Sequence, residues 1–221
     1  MKREIEPIAV FRSPFKSKFG IPRQSGLIDS LQGRIVFLPK YKQEEAIRGI
    51  EGFDFLWLIW GFTNKGEKQE PNLTVRPPRL GGNERIGVFA SRSPFRPNGL
   101  GLSAVRLTGI DNGELIVAGA DLMDGTPIYD IKPYIAYADS HPEAKGGFTD
   151  THHWQRLEVV MDDSNFPTLS AEELKALRET LAQDPRPHYH NDPNRIYGMD
   201  FAGVSVRFIV KDGVLKVLEL W

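Results

Sequence analysis

Short apolar runs punctuated by glycine and proline set the tightest limit on what this chain can fold into. Residues 5–11, 33–38, 55–62, 86–90, 102–107 and 115–120 are brief, rich in β-branched or aromatic side chains, and bounded by turn formers. Asp111-Asn112-Gly113, between the last two runs, is a strong hairpin cue. Short strands joined by long shaped loops predict an antiparallel barrel or sandwich rather than alternating β and α units. One short helix is predicted at 43–47, before the break at Gly49. The pattern changes after residues 141–151, a linker without periodicity. A strand is predicted at 156–161, then a helix opened by Ser170 and Glu173, an S-x-x-E capping box, with Leu174, Leu177 and Leu181 on one face. That helix must end before Pro185. A closing hairpin runs over 204–210 and 214–220 around Lys211-Asp212-Gly213. The expected fold is therefore mainly β: a small antiparallel β-barrel domain over residues 1–145 and a C-terminal α+β lobe over 152–221.

Composition narrows the class. A chain of 221 residues with a net charge of -1 is long enough for one substantial core. It has no cysteine, which excludes disulfides, thiolate-held metal and a cysteine nucleophile. The first fifteen residues are charged and carry no apolar signal region, and the longest apolar run, 55–62, is too short to cross a bilayer. A cytoplasmic protein without a membrane partner is expected. Neutrality hides segregation, since residues 1–25 carry six basic and two acidic side chains, while residues 107–131 contain no Lys or Arg.

The chemistry concentrates in residues 76–101, RPPRLGGNERIGVFASRSPFRPNGLG, with five arginines (Arg76, Arg79, Arg85, Arg92, Arg96) against one acid, Glu84. Prolines and glycines shape the loops that present them, and a guanidinium fork suits phosphate, carboxylate or a base edge. Singly, such arginines commonly cap carbonyls or pair with acids; five on two loops predict an anion-recognising surface. The tetrapeptide Arg-Ser-Pro-Phe occurs here at 92–95 and earlier at 12–15. Gly99 to Ala104 match the dinucleotide pattern G-x-G-x-x-A, but a loop precedes them and a strand-like run follows, so the glycines are read as sites of close packing instead. His141, His152, His153, His188 and His190 show no metal-ligand spacing, and no metal is expected. No nucleophile elbow or P-loop occurs.

Four segments carry a specific resemblance: PRQSG (22–26), RPPRLGGNERIGVFASRSPFRPN (76–98), DLMDGTPIYDIKPY (121–134) and AQDPRPHY (182–189). Together they resemble the TrmO family, also called the TsaA-like or VirR-type family, over nearly the whole chain. The resemblance implies an S-adenosylmethionine-dependent methyltransferase that methylates N6 of threonylcarbamoyladenosine, immediately 3′ of the anticodon in threonine tRNA. It also implies a non-Rossmann β-barrel and a homodimer with the cofactor, S-adenosyl-L-methionine, near the subunit interface. Carried over by position, the implied cofactor residues are Pro22, Arg23, Gln24, Arg92, Leu102, Asp124, Gly125, Thr126 and Pro127. Thr63 and Asn64, also implied cofactor residues, stand where relatives often have His followed by Gln or Glu, and both can still hydrogen-bond. Arg76, Arg79, Arg96, Arg186, Tyr189, Arg195, Tyr197 and Arg207 are the candidates for contact with tRNA; Arg186, Tyr189, Arg195 and Tyr197 are read on a loop-like, proline-rich bridge.

Methylating a ureido-substituted N6 requires loss of its proton, and Asp124 and Tyr129 are the titratable candidates in the motif. Two other readings remain open at this level. A non-catalytic RNA-binding module would account for the arginines, and a methyltransferase acting on another substrate would account for the cofactor motif.

Overall fold

The computed structural model describes residues 3–62, 73–77, 80, 84–151, 155–187, 190 and 192–218. In chain order its strands are β1 (Ala9–Arg12), β2 (Gln32–Phe37), β3 (Phe55–Gly61), β4 (Thr74–Val75), β5 (Ile86–Gly87), β6 (Leu100–Asp111), β7 (Glu114–Ala118), β8 (Pro127–Pro133), β9 (Glu158–Val160), β10 (Tyr197–Phe201), β11 (Val204–Lys211) and β12 (Val214–Val217). The helices are α1 (Glu44–Ile47), α2 (Ala136–Asp139) and α3 (Ala171–Ala182).

The N-terminal sheet is antiparallel, in the order β1-β2-β7-β6-β3-β8. β8 returns to β1 through Ala9↔Ile128 and Val10↔Pro127, which closes the sheet into a barrel. Alternation within β3 shows why: Leu56, Leu58 and Trp60 point into the core, while Phe55, Trp57 and Ile59 face outward. The inward set meets Phe11, Ile35, Val105, Leu115, Val117 and Ile128 in one apolar cluster. The β6–β7 hairpin turns on Asn112 and Gly113, both at positive φ (50° and 76°), as a tight twisted hairpin demands.

The C-terminal sheet has the order β10-β11-β12-β9, antiparallel except for the β12–β9 pair, which is parallel. α3 packs against it through Leu177 and Leu181 and begins with the capping box formed by Ser170 and Glu173. This second core is not built from the C-terminal segment alone. Phe15, Ile28 and Leu31, from the loop between β1 and β2, are buried in it beside Phe201 and Phe208.

Five elements differ from the sequence reading, two of them the short β4 and α2, neither of which was anticipated. β8 was not anticipated, because turn signals over 121–127 mask a strand whose first residue is Pro127, a position where a missing N–H is tolerated. β10 was also not anticipated, because its hairpin turns on Ala202 and Gly203, and Ala202 adopts a positive φ (48°) that its residue type does not advertise. Residues 86–90, expected as one strand, form only the two-residue β5 and then a 3-10 turn over Val88–Ala90.

Candidate functional site

Strand pairing gathers the conspicuous loops at one rim of the barrel. β3 runs antiparallel to both neighbours, with Gly61↔Leu100 and Trp60↔Ile128. Its end therefore lies beside the beginnings of β6 and β8. The loop before β6 carries Arg92 and Arg96, and the loop before β8 carries Asp121 to Thr126. The segment containing Pro22 to Gln24 joins them, since the Gly26 amide donates to the Gly119 carbonyl at 2.8 Å and the Gly119 amide to that of Leu31 at 2.9 Å.

At this rim two implied cofactor residues, 68 positions apart, meet directly: the Arg92 guanidinium donates to the Gln24 side-chain oxygen. Leu102 is 56% exposed, an apolar side chain left open at the start of β6. Pro22 is buried and Gly125 is exposed. Thr126 is buried and spent on the turn itself, its hydroxyl donating to the Met123 carbonyl at 2.7 Å. Thr63 and Asn64 follow the rim end of β3 in sequence and lie outside the described residues.

Of the two glycines expected as sites of close packing, Gly99 instead has open space around it and takes a positive φ of 58°, while Gly101 in β6 is explained by packing. A Cβ on Gly101 would fall 2.3 Å from Cε2 of Trp60, so only glycine lets the indole lie against this strand. The indole N–H of Trp60 then donates to the Ser103 hydroxyl at 3.0 Å, which donates to the Asp121 carboxylate at 2.5 Å. Burial pushes the Asp121 carboxyl up, although Ser103, its own amide, Arg92 and the Ser25 amide each favour the charged form. Ser103 and Trp60 were not singled out from sequence, and Asp121, which opens the 121–134 motif, was given no role of its own. Each is an ordinary residue type, and only tertiary pairing brings them into line.

Asp124 is committed elsewhere. It accepts from the Lys16 ammonium at 2.7 Å and the Ser13 amide at 3.1 Å, with Arg12 at 3.7 Å. Burial alone would raise its pKa, but Lys16, the Ser13 amide and Arg12 together hold it below the usual range. The ring of Tyr129 lies over Gly61, where an added Cβ would come within 2.8 Å.

The arginines divide by environment. Arg96 is inward-turned, donating to the carbonyls of Ser91 at 2.7 Å and Val88 at 3.4 Å, so it shapes its own loop. Arg186 forms a two-pronged pair with Asp184 at 2.8 and 2.9 Å, and the Asp184 bond leads the effects that raise its pKa. Arg76, Arg195 and Arg207 are exposed, with Arg195 over the Tyr197 ring at 5.6 Å. Arg79, Tyr189, His152, His153 and His188 lie outside the described residues. Tyr197 requires a correction. It is not on a loop but in β10, 6% exposed and stacked on Phe208 at 5.5 Å, which withdraws its ring from any external base. Among the described residues no group of three His, Asp or Glu side chains is placed to hold a metal ion.

A closed antiparallel barrel with shaped loops at its rim, rather than a strand-to-helix phosphate turn, sets this scaffold apart from the doubly wound nucleotide folds. Residues 10–140 match the family model of the tRNA-methyltransferase O N-terminal domain, and residues 156–221 match that of the TrmO C-terminal domain. The chain belongs to the TrmO family. It is 38% identical to the tRNA (adenine(37)-N6)-methyltransferase of Escherichia coli, covering 98% of this chain and 97% of that protein. A relative in Pseudomonas aeruginosa, also 38% identical and covered to 98%, is named for S-adenosylmethionine-dependent methyltransfer. Over 99% of its length the chain superposes on a crystal structure of TrmO from Pseudomonas aeruginosa with a TM-score of 0.81 at 32% identity, covering 96% of that chain.

Proposed function

We propose that this chain is an S-adenosylmethionine-dependent tRNA (adenine(37)-N6)-methyltransferase that modifies threonylcarbamoyladenosine in threonine tRNA. The observation that carries the reading is the match of both halves, in order, to the family of the Escherichia coli enzyme at 38% identity over nearly the full chain.

The rim residues suit the cofactor. Gln24 and Arg92 form a preassembled polar pair beside the open apolar side chain of Leu102, and Pro22 holds the first loop in place. These residues, with Arg23 and the turn from Asp124 to Pro127, are the ones that would hold it. When bound, S-adenosylmethionine supplies an electrophilic methyl group on a sulfonium. The protein's part is alignment, and orientation of two reactants can account for about 7–11 kcal/mol of a barrier. Asp124, held charged by Lys16 and the Ser13 amide, is a weak proton acceptor and serves better as the fixed point of its turn. Tyr129, whose ring lies over Gly61 at the rim, is the other candidate, and it would take the N6 proton only as phenolate, its own proton having first passed to solvent.

Arg76, Arg195 and Arg207 are exposed and fit contacts to tRNA phosphates, which would make binding salt-dependent. The enzyme acts as a homodimer in the cytoplasm, where its tRNA substrate resides. The dimer is supported by exposed apolar side chains close to the site, Phe89 (74%), Phe95 (66%) and Leu102, which a second copy would cover. Among the described residues no helix is long and apolar enough to cross a membrane.

The test is nucleoside analysis of tRNA from a strain lacking the gene, with add-back of purified protein and S-adenosylmethionine. Loss of the N6-methylated threonylcarbamoyladenosine and its restoration are expected. Unchanged nucleosides, with no transfer by the purified protein, would reject the reading.

A further inference from the structure

We propose that Asp121 is the positioning residue that assembles the cofactor site, an inference that rests on the function proposed above. Its carboxylate stands where four separate parts of the chain converge. Ser103 of β6 donates to it from inside the barrel, and Ser103 is itself fixed by the Trp60 indole of β3. The strand end that leads into Asp121 is bonded to the loop that carries Gln24, the Gly26 amide donating to the Gly119 carbonyl at 2.8 Å, and the Ser25 amide and the Arg92 guanidinium both favour its charged form. Arg92 in turn holds Gln24. Asp121 thus ties the Gln24 loop to the Arg92 loop, and both to the rigid barrel wall.

Only a carboxylate meets these demands. The Ser103 hydroxyl, already receiving a bond from Trp60, is left to donate to it, and the Ser25 amide and Arg92 guanidinium both favour its charged form. An ionised carboxylate accepts on both oxygens, whereas asparagine accepts on one and turns an NH2 toward donors. The same change removes the negative charge that acts on Arg92 from a distance, loosening the guanidinium's hold on Gln24. Stability should suffer little, because burial already opposes the charged form and the neutral side chain is nearly isosteric. Function and stability therefore part company at this position.

The test uses the full-length protein and S-adenosylmethionine binding by calorimetry, with the melting temperature measured in parallel. Wild type must bind, and failure there sinks the proposed function rather than this inference. Asp121→Asn is expected to weaken binding about tenfold while the melting temperature stays within about 3 °C. Because Asp121 acts through Arg92, the double variant Asp121→Asn/Arg92→Ala should bind no worse than about twofold below Arg92→Ala alone. In turnover, KM for the cofactor should rise while kcat changes little. Fully multiplicative losses in the double variant, or unchanged binding in Asp121→Asn, would overturn the assignment. Should Asp121→Asn fail to fold, Ser103→Ala probes the same contact from the barrel side. Weaker binding by about threefold at a retained melting temperature supports the inference, and unchanged binding overturns it.

Discussion

The tetrapeptide Arg-Ser-Pro-Phe is used twice, and the two copies share a local shape but not a fate. At 12–15 the Phe15 amide donates to the Ser13 hydroxyl at 3.2 Å; at 92–95 the Phe95 amide donates to the Ser93 hydroxyl at 3.3 Å. Each is a serine turn made by the residues themselves. Around the first copy the fold is closed. The Pro14 carbonyl accepts from Ala202, the Phe15 carbonyl accepts from Asp124, and the Phe15 ring is fully buried, 5.4 Å from Phe201. Around the second, Phe95 is 66% exposed and Arg92 reaches Gln24. The first arginine faces a carboxylate, Asp124, whereas the second meets a neutral amide. One turn therefore seals the two cores together, and its twin presents side chains to a ligand or partner. Local sequence sets the shape of a loop; what packs on it decides whether the loop is structure or site.

Removing the ring from the sealed copy should have the largest effect. Phe15→Ala empties a fully buried position shared by the barrel loop and the C-terminal core, and should cost about 3–5 kcal/mol in urea unfolding. A loss below about 1 kcal/mol would mean that the two cores are not joined there.

Gly101→Ala tests the rim beneath the open copy. The added methyl would fall 2.3 Å from Trp60, and the resulting overpacking should cost about 1–3 kcal/mol. Because Trp60 orders Ser103 and Asp121, cofactor binding should fall with it. Normal binding in a destabilised Gly101→Ala protein would separate the packing of the indole from the site.

Much of this was legible in the sequence, and the misses follow one rule. The capping box at Ser170, the Asn112-Gly113 hairpin and the alternation of β3 are each dictated within a few residues, and each stands in the structure. So were the shaped loops and the segments that carry the family resemblance. What could not be read depends on partners far along the chain. β10 turns on Ala202, held at positive φ by its surroundings, so Tyr197 was assigned to a loop when it belongs to a core. The Gln24–Arg92 pair spans 68 positions and the Ser103–Asp121 bond 18, with no local pattern to announce either. Arg96 and Arg186 were read as facing RNA, yet carbonyls and Asp184 engage them. The pair Asp184–Arg186, two positions apart, did carry a local signal of that kind.

Asp124 gives the sealed copy a pH dependence of its own. Its folded-state pKa is depressed, so its contribution is present above the ordinary carboxylate range and is lost as pH falls through the folded value. Lys16 is exposed and the pair is screened, so the effect should be about 1 kcal/mol or less. Asp124→Asn should flatten the acid limb of the stability curve measured between about pH 5 and 2. An unchanged acid limb would show that the Ser13 and Lys16 contacts do not hold this turn.

The smallest expected effect on stability is the most telling for function. Phe95→Ala removes the same ring as Phe15→Ala, from the same turn, but at 66% exposure there is little burial to lose. Unfolding free energy should shift by no more than about 0.5 kcal/mol. If Phe95 and its exposed neighbour Phe89 are covered by a second copy, the variant should instead show weaker self-association in sedimentation measured over a concentration series. Cofactor binding should then fall in step with the loss of dimer, because Arg92 lies in the same turn. A Phe95→Ala protein that is as stable, as dimeric and as active as wild type would make the second turn a passive copy of the first. A large loss of stability would make it a second seal. Only the dissociation of self-association from stability keeps the two copies apart in role.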